Sequence, residues 1–128
     1  MSLITVDLRS RKQLYEQIID NIKNLILTGE LSADDNLPSV RSLAKELGIN
    51  PNTIQKAYTE LERQGIIMTL PGRGSMVATD KSHLAGEKIE VLTEKLAAVA
   101  AEMLTAGVDE ERFVETARAV YRKAGGGK

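Results

Sequence analysis

The sequence contains no cysteine, no tryptophan, one phenylalanine and one histidine among 128 residues. Without cysteine there is neither a disulfide framework nor a thiolate zinc site. The single histidine, His83, has no second ligand beside it, so it reads as a solvated linker residue and not as a metal ligand. Paired carboxylates with acid–base partners are also missing, as is a complete phosphate-binding loop, so nothing points to an enzyme or to a cofactor. The closing Gly125-Gly126-Gly127-Lys128 imitates part of such a loop. It lacks the leading glycine at the right spacing, the following Ser or Thr, and a helix to point at the ligand, and therefore reads as a flexible tail. No apolar run is long enough to cross a bilayer and no signal-peptide pattern opens the chain. A cytoplasmic protein without a membrane partner is the expectation.

An excess of one charge sign is lacking too. The chain has 17 Lys and Arg against 18 Asp and Glu, and residues 1–80 alone hold 9 against 10. Nucleic-acid binders are commonly basic, so composition lends DNA binding no support. Such a role would rest on placement, with Asp34, Asp35, Glu60 and Glu62 lying away from the DNA and Arg41, Lys45, Lys56 and Arg73 toward it. The length allows one modest core and an appendage.

What is present is a tight sequence of punctuation between residues 37 and 77. Asn50 suits a helix N-cap and Pro51 its first turn, since proline's φ is already helical and its missing N–H would have had no partner there. Ile54, Ala57, Tyr58 and Leu61 then recur at helical spacing, leaving Asn52, Thr53, Gln55 and Lys56 elsewhere on the surface. Upstream, the run from Leu37 to Gly48 reads as a shorter helix, capped by Ser39 and stopped at Gly48. Two helices about a tight turn at Gly48-Ile49-Asn50 make a helix-turn-helix, whose second helix enters the major groove. Ile66-Ile67-Met68-Thr69 and Ser75-Met76-Val77-Ala78 then read as two short strands around Pro71-Gly72-Arg73-Gly74, a β-wing with a cation at its tip.

On either side of this unit the periodicity is helical. Leu14, Ile18, Ile22, Leu25 and Ile26 mark one face of a helix over 13–28, ended by Gly29, while residues 3–6 alternate weakly as an arm or short strand. Residues 80–86 read as a linker. Over 87–106, Ile89, Leu92, Leu96, Val99 and Met103 alternate at three and four, with alanines widening a small-residue face. Gly107 closes that helix and Asp109 caps the next, with Val108 placed to staple onto Phe113. Two such helices in succession predict a dimer interface formed by Ile89, Leu92, Leu96, Val99, Met103, Phe113 and Val120. The expected fold is mainly α with a small β-wing: a winged helix-turn-helix domain over 1–79, a linker over 80–86, a two-helix dimerisation region over 87–124 and a tail over 125–128.

Leu-Pro-Ser-Val-Arg-Ser-Leu-Ala, then Asn-Pro-Asn-Thr-Ile-Gln-Lys-Ala-Tyr, then Gly-Arg-Gly-Ser resembles the winged-helix domain of the GntR family of bacterial transcriptional regulators. Leu14-Tyr15-Glu16-Gln17-Ile18 adds to the match, which covers residues 10–79, and the short remainder is similar to the YtrA-like branch. The chain departs from family habit at Gln13, where proline is usual, and at Asp34, where glycine is usual; Asp tolerates a left-handed turn better than most residues. The resemblance implies a homodimeric regulator, more often a repressor, binding an inverted repeat with GT and AC half-sites. Its implied DNA-binding residues are Ser39, Arg41, Asn50, Asn52, Thr53, Gln55, Lys56, Gly72, Arg73 and Gly74. The matching arginine of the family contacts a guanine, whose O6 and N7 a guanidinium fork fits together. Family branches with large C-terminal domains bind effectors, an aldehyde cofactor or a metal there. Residues 82–128 are too few for those folds, and no small-molecule effector is specified.

A different class of function shares the fold, because winged helices also serve as protein-docking modules that never touch DNA. Near-neutral charge favours that alternative. The polar residues Asn52, Gln55 and Lys56 on the outer face of the second helix oppose it.

Overall fold

The computed structural model describes residues 3–126. In order they form α1 (Leu14–Leu27), α2 (Val40–Leu47), α3 (Pro51–Arg63), β1 (Ile67–Leu70), β2 (Gly74–Val77), α4 (Lys81–Thr105) and α5 (Glu110–Tyr121), with a final π-helical turn at Arg122–Gly126. Two compact units part between Gly86 and Glu87.

The first unit is built around apolar faces set at helical spacing. Ile18, Ile22 and Ile26 of α1, Leu43 of α2 and Ile54 and Leu61 of α3 are fully buried together with Ile66, Ile67 and Val77. At roughly 1.5–3 kcal/mol for each large aliphatic side chain withdrawn from water, this one cluster is the main favourable term for the unit. Caps define the helix-turn-helix. The Ser42 N–H donates to Ser39 Oγ at 3.0 Å, and the Asn52 N–H donates to Asn50 Oδ1 at 2.8 Å. Between them Gly48 sits at φ 68°, a left-handed value that lets α2 stop and α3 leave in a new direction. Asp34 also takes a left-handed φ of 72°, alone among the described non-glycine residues. The loop keeps a glycine-like shape at the position where glycine is usual.

The wing strands lie one residue away from the expected 66–69 and 75–78. Their antiparallel register pairs Ile67 with Val77, Met68 with Met76, Thr69 with Ser75 and Leu70 with Gly74. The Ile66 N–H still closes the end of α3 by donating to Leu61 O at 2.9 Å, so β1 begins a residue later. A third edge was not foreseen: Asn36 bridges to Met76, the Asp34 N–H donates to Val77 O and the Leu37 N–H to Ser75 O, both at 2.9 Å. Residues 3–6 form no strand but an arm held against α1. Ile4 enters the core, and Gln17 clasps the segment, accepting from the Asp7 N–H at 2.7 Å and donating to Lys12 O at 2.9 Å.

The expected linker over 80–86 is helical from Lys81. Asp80 caps this turn, accepting from the His83 N–H at 2.8 Å, and Leu84 is buried in the first unit's core. A cap and an anchored leucine outweigh Gly86, whose cost inside a helix is about 1 kcal/mol. Beyond Gly86 no described residue is buried. Gly107 takes φ 90° between α4 and α5, and Asp109 caps α5 by accepting from the Arg112 N–H at 2.8 Å. Val108 and Phe113 are both half-buried. Of the tail expected over 125–128, Gly125 breaks from helical geometry at φ 107°, and Gly127 and Lys128 lie outside the described residues.

Candidate nucleic-acid interface

All ten residues expected at DNA lie in the first unit, on α2 and its N-cap, α3, the turn between them and the wing. Arg41, the second residue of α2, is exposed and has no ion-pair partner among the described residues. On α3, every residue of the exposed face is polar apart from the N-terminal Pro51: Asn52, Gln55, Lys56, Thr59, Glu62 and Arg63. Ser39 and Asn50 spend a side-chain oxygen on their caps. The Ser39 hydroxyl hydrogen and the Asn50 amide group remain as donors. Thr53 is half-buried, and Gln55 donates to Thr59 Oγ1 at 3.2 Å, a bond that reaching a base would require it to release.

Lys56 is positioned in a way its helical spacing did not reveal. Its Nζ lies 3.9 Å from the centroid of the Tyr15 ring on α1, a cation–π contact that restrains a long side chain while leaving its charge in place. Tyr15 thus lines an open groove of about 680 Å³ with Glu16, Asn52, Gln55, Lys56 and Thr59.

The wing tip carries Arg73 between Gly72 at φ 77° and Gly74 at φ 76°, values that few other residues adopt without strain. Arg73 has no ion-pair partner among the described residues. It does share a cleft of about 650 Å³ with Asp34 and Asn36. Asp34 was expected away from the DNA side; the edge formed by residues 34–37 brings it beside the wing.

The acids of α3 are engaged within the domain. Arg63 donates to both oxygens of Glu60, whose carboxyl is held down to about 2 by these hydrogen bonds. The Thr69 hydroxyl donates to Glu62 Oε1 at 2.8 Å and lies 3.1 Å from Ser75 Oγ, tying both wing strands to α3. Tyr58 is 3% exposed, and its hydroxyl donates to the carbonyl of Pro38 at 2.7 Å. Burial pushes that phenol well above its ordinary pKa, so it is a donor at any physiological pH. Among the described residues no group of three or more His, Cys, Asp or Glu side chains is arranged to hold a metal ion.

The model of the bacterial regulatory proteins of the gntR family matches residues 14–77, from the first residue of α1 to the last of β2. The chain belongs to the GntR family. It is accordingly a DNA-binding transcriptional regulator and not an enzyme. Along its whole length it is similar to the HTH-type transcriptional repressor YtrA of Bacillus subtilis, 42% identical over 127 residues that cover 98% of each chain. A transcriptional regulator from Oenococcus oeni has a similar structure at TM-score 0.77 and 37% identity, covering 90% of this chain and 96% of that one. YtrA from Sulfolobus acidocaldarius, described as a GntR-family transcription factor, matches at TM-score 0.61 and 37% identity over 76% of this chain and 99% of its own. GntR membership thus accounts for the winged helix-turn-helix, and the similarity to YtrA and the Oenococcus regulator extends through the C-terminal helices. No helix among the described residues is long and apolar enough to cross a membrane.

The residues expected at a dimer interface fall in the second unit. Ile89, Leu92, Leu96 and Val99 are between 48% and 61% exposed, and Val120 is exposed as well. Met103 and Phe113 are half-buried near the turn that joins α4 to α5.

Proposed function

We propose that this GntR regulator is a homodimeric repressor that binds an inverted repeat with GT and AC half-sites. The observation that carries the DNA-contact assignment is a polar outer face of α3 together with two exposed guanidinium groups, Arg41 on α2 and Arg73 on the wing, that no carboxylate pairs among the described residues. In this reading Arg41 takes guanine O6 and N7, and Gln55 and Asn52 meet base edges or phosphates. Ser39, Asn50, Thr53 and Lys56 serve the phosphates, where short donors and cations fix register without reading sequence. Arg73, freed by Gly72 and Gly74 to approach closely, enters the minor groove. Repression follows the similarity to YtrA of Bacillus subtilis.

Exposure of Ile89, Leu92, Leu96 and Val99 along one side of α4 supports dimerisation, since a contiguous apolar stripe of this size is costly in water. A docking module that ignores DNA finds little support, because the outer face of α3 offers a partner almost no apolar surface. A gel shift tests the reading, comparing a duplex carrying a GT/AC inverted repeat with one whose half-sites are scrambled, at several salt concentrations. Preference for the repeat with affinity falling steeply as salt rises is the expected result. Equal, weak binding to both duplexes would sink it.

A further inference from the structure

We infer that the Tyr58 hydroxyl is a positioning group for sequence reading, setting Arg41 in register with α3. The inference rests on Arg41 reading a base, as proposed above. Tyr58 occupies a core position, at helical spacing from Ile54 and Leu61, where any large apolar side chain would satisfy the packing. A phenol there brings a polar atom into the interior, which is tolerated only when it is bonded. Its partner is twenty residues away: the carbonyl of Pro38, at 2.7 Å. Pro38 directly precedes Ser39, the N-cap of α2, and Arg41 follows two residues later.

Residues 37–39 are therefore fastened from three sides. The Leu37 N–H donates to Ser75 O of β2 at 2.9 Å, Pro38 accepts from Tyr58 of α3, and Ser39 Oγ starts α2. Among the described residues, the Tyr58 bond is the one hydrogen bond from α3 to the segment 37–47. Apolar contact between α2 and α3 through Leu43, Ile54 and Tyr58 holds the two helices together but is not directional. A short charge-assisted fork on a base tolerates only about 0.5 Å of misplacement, and a directional bond at the root of α2 supplies that precision. The geometry makes Tyr58 responsible for discrimination between sequences, beyond its share of the core.

Tyr58→Phe keeps the ring and removes the bond. The wild type, Tyr58→Phe, Arg41→Ala and the double variant are titrated against the duplex that wild type selects from a randomised pool, the same duplex with its half-site guanines replaced, and a scrambled duplex. Circular dichroism at the assay temperature establishes that each variant is folded, and ratios between duplexes are insensitive to any inactive fraction. Tyr58→Phe is expected to lower the preference for the guanine by roughly fivefold, the worth of one lost hydrogen bond, while binding to the scrambled duplex stays at the wild-type level. In the Arg41→Ala background the same change should do nothing further to that preference. If Arg41→Ala lowers the preference and Tyr58→Phe leaves it unchanged, or the two effects add, the positioning role is overturned and the base-reading role of Arg41 stands. If Arg41→Ala leaves the preference unchanged, both are overturned.

Discussion

Arg41 and Lys56 are both exposed cations of the helix-turn-helix, yet the proposed function gives them different work. Arg41 has no ion-pair partner among the described residues, whereas Lys56 rests on the Tyr15 ring, 3.9 Å from its centroid, which suits a fixed phosphate contact. Arg41→Ala should cost about 1–3 kcal/mol on the operator and relax the preference at the guanine. Lys56→Ala should weaken binding to all sequences alike and lower the salt slope by about one. Competition titrations at several salt concentrations separate the two; identical profiles for both variants would refute the division of labour. Glu60 supplies a pH effect on folding. Its carboxyl, bonded to Arg63, lies near 2 against an ordinary 4.5. The proton binds the unfolded chain more readily, so the pair's contribution is fully present above about 4.5 and is lost as pH falls toward 2. Because the pair is on the surface the contribution is small. Glu60→Gln should lower the melting temperature slightly at neutral pH, and the difference from wild type should shrink as the pH falls through that window.

The wing is bonded to the domain at its base and free at its tip. Thr69 donates to Glu62, and the Leu37 and Asp34 amides donate to β2, whereas among the described residues Arg73 at the tip contributes only its backbone N–H, to Leu70 O at 3.0 Å. Arg73→Ala should therefore weaken operator binding and leave the melting temperature within about a degree of wild type, since an exposed hairpin tip adds little to stability. Parallel loss of folding and binding would mean that the arginine serves the turn instead. The helices of the same unit were legible in the sequence because their signals are local: Ser39, Gly48, Asn50 and Pro51 act on the chain within a few residues. The third edge at residues 34–37 was not legible. Its bonds run to residues some forty positions away, and a single bridge beside Pro38 leaves no alternation to detect.

At the scale of the whole molecule, the proposed dimer rests on the second unit. An α4 that exposes Ile89, Leu92, Leu96 and Val99 calls for a partner, and two copies joined there would present two recognition helices to one inverted repeat. Leu96→Glu would place an unpaired charge in that seam. The variant is expected to be a monomer by sedimentation equilibrium, to keep the winged-helix fold by circular dichroism, and to bind a half-site while losing tight binding to the full repeat. Wild type that stays monomeric at tens of micromolar, or a variant that still dimerises through the stripe, would contradict this assembly.

By itself the sequence determined the caps and turn of the helix-turn-helix, the presence of a wing, the left-handed tolerance of Asp34 and, through the Leu-Pro-Ser-Val-Arg and Asn-Pro-Asn-Thr-Ile runs, the GntR family. Each is written in neighbouring residues, where spacing and backbone preference act directly. Only the tertiary structure decided that Tyr15 holds Lys56, that Tyr58 reaches Pro38, that Asp34 lies beside Arg73 and that α4 begins at Lys81 with Leu84 in the core. Those are contacts between side chains brought together by burial, which is non-directional and carries no signature in the spacing of either partner.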